Sequence, residues 1–376
     1  MAEKWSGKKI SFAGPSITQK ELDYATDAVK NGWYETFDKH TRLLEKKVCD
    51  YLGMKYSLAT HCCTLALHLA NASLGFGPGD EVICTDFSWV ATAYSIAYTG
   101  AKPVFVDIEP DSWCISPDAI RKAITPKTKG IMIVHSFGHP AKMDEIKEIA
   151  TEHNLKLIED AAPSLGSRFQ GRLTGTFGDV ACFSFQGAKI AASGEGGILV
   201  TNNEEIYKKA LLLANMGRTD SKAVFWSDML GFQYTIGNIS AALALAQVER
   251  IDELVANKRK IFGYYHARLK DIPGLKLLVE QEGCLSNYTY PSLLLEDSIK
   301  ANRDDIIKRL KARNIHPRPT FPRMSTFPTL EARFPNPIAA KISQRGISLP
   351  AAHNLVEEDI DFVVESLLEL ARMPTT

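Results

Sequence analysis

At 376 residues the chain exceeds what one compact core usually serves, so one large and one smaller domain is the natural division. Hydrophobic residues at 45% and charged residues at 23% describe an ordinary water-soluble globular protein. Lysine plus arginine and aspartate plus glutamate both number 44, so no overall field of one sign exists to hold nucleic acid or an acidic membrane, although a local basic patch fits the balance.

The chain starts Met1-Ala-Glu-Lys-Trp-Ser-Gly-Lys-Lys with no apolar run behind its lysines, which does not describe a secretory signal. No later apolar stretch nears the roughly 20 residues that cross a bilayer. Short runs rich in Val, Ile and Phe predict strands over Tyr56–Thr60, Glu81–Thr85, Pro103–Asp107, Ile131–His135, Lys156–Glu159, Val180–Ser184 and Gly197–Thr201. Helical periodicity falls between them, over Thr64–Ser73, Asp118–Ile124, Lys142–His153 and Glu204–Ala214. Continuous apolar strands alternating with amphipathic helices imply a mostly parallel seven-stranded sheet covered on both faces, an α/β fold. A Gly-rich loop joins the last two strands, which predicts an antiparallel edge.

An alanine-rich helical pattern over Gly237–Arg268 is long enough to bridge two domains. Beyond Pro273-Gly274, strands near Lys276–Glu280 and Thr289–Leu295 and a helix at Arg303–Arg313 are expected. A Pro-rich loop (Pro317 to Pro337) then leads to a final helix over Glu357–Ala371, giving a small α+β domain. The division is residues 10–250 for the large domain and 251–376 for the small one. Seven irregularly spaced cysteines, two of them the adjacent Cys62-Cys63, form no paired metal-ligand set. No metal site is expected, and a reducing cytoplasm fits this usage.

Ligands of open parallel sheets bind outside the carboxyl ends of the strands, and four segments fall there. In Thr60-His-Cys-Cys-Thr64, a strand ends and a helix begins with Thr64 at or next to its cap; free N–H groups and a hydroxyl suit a phosphate, and equally suit plain capping. In Leu157-Ile-Glu-Asp160, an acid ends a buried strand, either to hold a protonated heterocyclic nitrogen or to contact a loop. In Cys182-Phe-Ser-Phe-Gln-Gly-Ala-Lys189, followed by Gly194, Gly196 and Gly197, a lysine sits where partial desolvation raises the nucleophilic fraction of its amine. Its bland alternative is a surface lysine before a glycine turn. Ser184 adds a second phosphate donor. Trp89, just after a strand, either stacks on a cofactor ring or belongs to the core. A phosphate cradle, a stacking ring, an anion and an amine are the parts a pyridoxal phosphate (PLP) site needs.

Carrying these parts, the chain resembles the DegT/DnrJ-type sugar aminotransferases of PLP fold type I. The resemblance spans nearly the whole length: Gly77-Pro-Gly-Asp-Glu-Val82, Gly100-Ala-Lys-Pro-Val-Phe-Val-Asp107, Ile124-Thr-Pro-Lys-Thr-Lys129, Ile158-Glu-Asp-Ala-Ala162, Phe183-Ser-Phe185 to Lys189, Ser193-Gly-Glu-Gly-Gly197, Ala241 to Gln247 and Gly346-Ile-Ser-Leu-Pro350. It implies that Lys189 joins the cofactor through its amine and then shuttles the proton. It implies that Asp160 holds the ring nitrogen protonated, that Trp89 stacks on the ring, and that Cys63 N–H, Thr64 and Ser184 cradle the phosphate. Asn238 matches a segment that similar enzymes extend toward the partner subunit's cofactor. Homodimers with sites at the subunit interface are implied, as is an amino donor, L-glutamate or glutamine. The implied acceptor is a keto sugar, nucleotide-linked and 4-keto-6-deoxy or 3-keto, in amino-sugar or lipopolysaccharide synthesis.

Trp33, Tyr34 and Arg318 are the expected substrate-side residues, with packing or a solvated charge as the alternative. Three positions depart from the family pattern. Cys62-Cys63 replaces Ser/Asn-Gly, Gln186 replaces a common His, and Pro163 stands where Gln, Glu or His usually meets the cofactor's 3-hydroxyl. The nearest rival is a PLP-dependent sugar dehydratase of the same fold, in which His commonly replaces the lysine. A non-catalytic PLP-binding regulator is the second rival. An NAD enzyme is a third, and His61-Cys-Cys-Thr64 lacks its glycine fingerprint.

Overall fold

A computed structural model describes residues 7–218 and 226–372. Residues 1–6, on which the reading of the chain start partly rests, lie outside the described residues. Two helices that the sequence reading did not place, α1 (Gln19–Asn31) and α2 (Lys39–Leu52), come first. Strand and helix then alternate through β1 (Tyr56–Thr60), α3 (Cys63–Leu74), β2 (Glu81–Thr85), α4 (Ala91–Ala97), β3 (Lys102–Val106), α5 (Pro117–Ala123), β4 (Thr128–Val134), α6 (Met143–Glu152) and β5 (Lys156–Asp160). The short strands β6 (Arg168–Phe169) and β7 (Arg172–Leu173) precede β8 (Val180–Ser184), β9 (Gly197–Thr201) and α7 (Glu204–Ala214).

The seven long strands form one sheet in the order β1-β9-β8-β5-β4-β2-β3. All run parallel except β9, which is antiparallel to both its neighbours. The antiparallel strand is therefore not the edge, as expected, but lies one place in; the glycine loop returns the chain beside β8, and β1 closes the far side. Alternation sends Cys84, Met132, Ile158, Cys182 and Leu199 under α3, α4 and α7. Their neighbours Ile83, Ile131 and Leu157 meet α5 and α6, while Phe183 and Val200 meet α2 and the later residues Ala241, Ala244 and Leu245. Each such side chain contributes about 1.5–3 kcal/mol by leaving water.

The single long helix expected over Gly237–Arg268 is two helices, α8 (Asn238–Val248) and α9 (Ile251–Leu269). The break comes at Arg250, whose guanidinium donates to Glu21 (2.7 Å), to the Ser16 carbonyl (3.1 Å) and to Glu253 (2.7 Å). Beyond it lie β10 (Leu275–Leu277), β11 (Cys284–Leu285), β12 (Ser292–Leu295), α10 (Arg303–Ala312), β13 (Arg318–Pro319), α11 (Pro337–Arg345), β14 (Gly346–Ser348) and α12 (Glu357–Ala371). Helix α11 and strand β14 were not expected; Pro337 starts the helix from its first turn, where a missing N–H costs nothing.

Strands β10-β12-β14-β13 form an antiparallel sheet, and α9, α10 and α12 bury Tyr265, Leu310 and Leu367 against it. Ile10 packs into this second core and bridges Ile315, while the first turns of α9 (Ile251, Leu254, Val255) pack into the large one. The seven cysteines are free, and no described helix is long and apolar enough to cross a membrane.

Candidate active site

Register decides which residues arrive together at the carboxyl edge of the sheet. Thr60 of β1 and Ser184 of β8 both pair with Gly197, the first residue of β9. One strand further, Cys182 pairs with Asp160, and Asp160 with Val134. Alternation turns Ser184 and Asp160 to the face that carries α3 and α4, and Glu159 to the other. There Glu159 accepts from His135 Nε2 (3.0 Å) and from the N–H groups of Gly175 (2.7 Å), Phe177 (2.6 Å) and Gly178 (2.7 Å). It is a fully engaged structural acid. Asp160 is the one of the pair that faces the site.

Helix α3 begins beside Gly197. Its N-cap is Cys62, extended at φ −158° and ψ 163°, and no side chain caps it. Thr64, expected at or next to the cap, is instead the second helical residue. The first N–H groups of a helix have no acceptor within it, so those of Cys63 and Thr64 are left for an anion. A Cβ on Gly197 would stand 2.5 Å from both the Cys62 carbonyl carbon and the Cys63 nitrogen, so only glycine lets β9 start this near. The Cys63 side chain turns into the core beneath α3, away from the helix N-terminus. Burial, with Asp160 and Cys182 nearby, pushes its thiol well above the usual range, so it stays neutral.

Asp160 is 4% exposed. Its Oδ2 accepts from Thr92 Oγ1 at 2.7 Å and its Oδ1 from the Ala162 N–H at 3.2 Å. Ser88 Oγ stands 3.0 Å from the same Thr92 hydroxyl. Burial raises the carboxyl's pKa, against the pull of Thr92, the Ala162 N–H, and the charges of Lys189 and His135. Each oxygen carries one hydrogen bond, which leaves lone pairs for a further donor.

Lys189 lies half-buried in a loop closed by its own backbone. Its N–H reaches the Gln186 carbonyl at 2.8 Å, Gly187 N–H reaches Gly194 at 2.9 Å, and Ser193 N–H reaches Phe185 at 2.7 Å. Gly194 at φ +85° makes the turn. Gln186, in place of the common His, accepts from the Ala188 N–H through Oε1 at 2.9 Å. The Lys189 Nζ stands 5.7 Å from the centre of the Tyr290 ring. Burial singles out a different amine, Lys258, 1% exposed and lowered to about 7. Its Nζ bonds the Ala351 carbonyl inside the protein, where no substrate reaches it.

Trp89 is not core: it is 62% exposed, and its carbonyl accepts from Thr92 N–H at 3.2 Å at the start of α4. Arg318 joins the Lys189 group by rings. Its guanidinium lies 4.6 Å over Phe12, and Phe12 stacks on Tyr290 at 5.0 Å. Trp33, Tyr34 and Asn238 gather elsewhere. Asn238 Oδ1 accepts from His40 N–H at 2.8 Å, its Nδ2 crowds Gly32, and Trp33 and Tyr34 next to Gly32 are exposed. The Pro163 main-chain carbonyl, which any residue there would supply, accepts from Asn287 Nδ2 (3.0 Å) and Thr289 Oγ1 (2.8 Å). Sequence reasoning missed Thr92, Tyr290 and Phe12. Thr92 had a usable signal, one helical turn after Trp89; the other two had none.

An uncapped helix end for a phosphate, a buried acid with spare lone pairs for a ring N–H, and an amine whose charge that acid feels fit PLP. Set at the carboxyl edge of this sheet, they define a fold type I PLP-dependent aminotransferase. Residues 15–368 match the model of the DegT/DnrJ/EryC1/StrS aminotransferase family. GDP-perosamine synthase of Caulobacter vibrioides is 36% identical over 363 residues, covering 96% of this chain and 97% of that protein. EpsN of Bacillus subtilis, provisionally named a pyridoxal phosphate-dependent aminotransferase, is 34% identical over 375 residues, covering 96% of each. The crystal structure of the aminotransferase TlmJ from Streptoalloteichus hindustanus superposes with a TM-score of 0.90 at 27% identity, over 96% of this chain and 98% of that one. The chain belongs to the DegT/DnrJ/EryC1/StrS aminotransferase family, and its cofactor is PLP.

Proposed function

We propose that this enzyme moves an amino group from L-glutamate or glutamine to a nucleotide-linked keto sugar, a 4-keto-6-deoxyhexose or a 3-keto hexose, in amino-sugar synthesis in the cytoplasm. The observation that carries the substrate class is the near full-length similarity to an enzyme named GDP-perosamine synthase. Bound PLP supplies an electron-accepting ring that stabilises negative charge at the donor's α-carbon. Lys189 Nζ takes the α-proton from the donor and delivers a proton to the sugar carbon that receives nitrogen. Asp160 holds the proton of the ring nitrogen, and the Thr92 hydroxyl holds Asp160. Trp89 covers the ring from solvent, and Cys63 N–H, Thr64 and Ser184 hold the phosphate. Arg318, fixed over Phe12, meets the anionic part of the substrate.

In this reading residues 10–250 bind the cofactor and 251–376 form the smaller unit, with the segment around Ile10 and Phe12 lent to it. Two copies form a homodimer. Leu22, Val29, Trp33, Tyr34, Phe37 and Ile239 are all exposed, an apolar face that a second copy covers. On that face Trp33 and Tyr34 meet substrate and Asn238 serves the partner's site. The test is a panel of nucleotide-linked keto sugars with glutamate and with glutamine, following release of 2-oxoglutarate or its amide. Turnover with one class of keto sugar is expected. Transfer to simple 2-oxo acids but to no sugar overturns the reading.

A further inference from the structure

Taking Lys189 as the reactive amine, we propose that Tyr290 and His353 position it by holding the two carbonyls that flank it. Tyr290 Oη donates to the Ala188 carbonyl at 3.0 Å, and His353 Nε2 meets the Ile190 carbonyl at 3.2 Å. Both side chains come from beyond α9; the first bond holds the Ala188–Lys189 peptide and the second the Ile190–Ala191 peptide, one link further along. A carbonyl only accepts, so Nε2 carries the proton of the ring. Asn257 Nδ2, on α9, stands 3.1 Å from His353 Nδ1 and 2.9 Å from the His353 carbonyl, and donates to both. The tautomer is thus set from both sides of the ring. Burial and then the charge of Lys258 hold this histidine down to about 3, so it is a neutral donor at any working pH.

The clamp meets a loop already braced on its other flank, where Gln247 Oε1 accepts from Ala192 N–H at 3.3 Å. With its own N–H on Gln186 and the Ala188 and Ile190 carbonyls held, the backbone is tied on both sides of Lys189. Only the four-carbon stem moves, and the Tyr290 ring lies beside its end. Reaction needs that amine placed to a fraction of an ångström, and misplacement by 1 Å costs on the order of a hundredfold in rate. If the two bonds merely satisfied carbonyls, their loss would lower stability and leave the reaction rate alone. Tyr290 and His353 are positioning residues, since they touch the peptide neighbours of the amine.

The experiment uses Tyr290→Phe, which keeps the ring stack on Phe12, His353→Leu, and His353→Gln, whose amide replaces the Nε2 donor. Three quantities are read: the rate at which apoprotein takes up PLP into its visible absorbance band, kcat and KM for L-glutamate, and the melting temperature. Tyr290→Phe and His353→Leu should each slow band formation and lower kcat by about tenfold, with KM within about twofold, and His353→Gln should recover most of both. Wild-type rates in both variants, at any melting temperature, overturn the clamp. So does a His353→Gln protein as slow as His353→Leu. A Lys189→Ala protein that still forms the band overturns the assignment of the amine itself, a separate failure.

Discussion

Thr92 offers the sharpest perturbation of the chemistry, because it touches the acid and lies outside the cradle. Thr92→Val keeps the shape of the side chain and removes the hydroxyl that stands 2.7 Å from Asp160 Oδ2. A hydrogen bond to a charged group contributes about 1.5–3 kcal/mol. Without it the Asp160 carboxyl should protonate more readily. That moves the carboxyl further in the direction burial already drives it, since Thr92 leads the influences opposing burial. A carboxyl that protonates more readily is a poorer counter-ion for a cationic ring, so kcat for the glutamate half-reaction should fall about 10- to 100-fold with KM little changed. The assay is stopped-flow absorbance of the bound cofactor against glutamate concentration, repeated across pH. Thr92→Ser, which retains the hydroxyl, should stay within about threefold of wild type. Full activity in Thr92→Val with an unshifted pH profile refutes the role given to this pair.

Gly197→Ala should force β9 off the start of α3 and weaken PLP binding by about tenfold or more, as expected for overpacking at a contact of 2.5 Å; equilibrium titration of apoprotein reads it. Asp86, fully buried, accepts from Arg323 Nε (2.9 Å), Ser325 N–H and Oγ (both 2.8 Å) and Asn336 Nδ2 (2.9 Å), so it ties the Pro-rich loop to the end of β2. Asp86→Ala should cost about 3–5 kcal/mol in urea unfolding, because it strands buried donors. Glu45, raised to about 7 by burial, favours the folded state when protonated. The Glu45 contribution to stability should therefore be lost as pH rises from the ordinary carboxylate range through 7, and Glu45→Gln should melt higher than wild type at pH 8 but not at pH 4, as calorimetry can show.

The sheet was legible because its strands are short apolar runs buried on both faces: β1, β2, β8 and β9 fall on the residues expected. Two residues proposed for the site, Asp160 and Ser184, end β5 and β8 where the sequence placed them, and Lys189 lies in the loop after β8. The pleat adds what the pattern did not give, the other face for Glu159, which His135 and three N–H groups engage. The break between α8 and α9 could not be read, because the partners of Arg250, Ser16 and Glu21, lie at the other end of the chain. Tyr290 escaped for the same reason, since its place comes from a contact made in space, whereas Thr92 could have been found one helical turn after Trp89. The helix α11 hid behind its prolines, which read as loop although one of them begins it. Desolvation taken alone would have chosen Lys258. What separates the two amines is company, since Lys189 shares its surroundings with a carboxylate and an open helix end, and Lys258 with a carbonyl in a sealed core.

The most direct measurement reduces the holoenzyme with borohydride, which fixes the cofactor to whichever amine holds it, and then maps its mass in the peptides. The account requires the pyridoxyl mass on Lys189, in the peptide that follows β8. Finding it on Lys258 or on any other lysine, with Lys189 unmodified, would contradict the site assembled around Asp160.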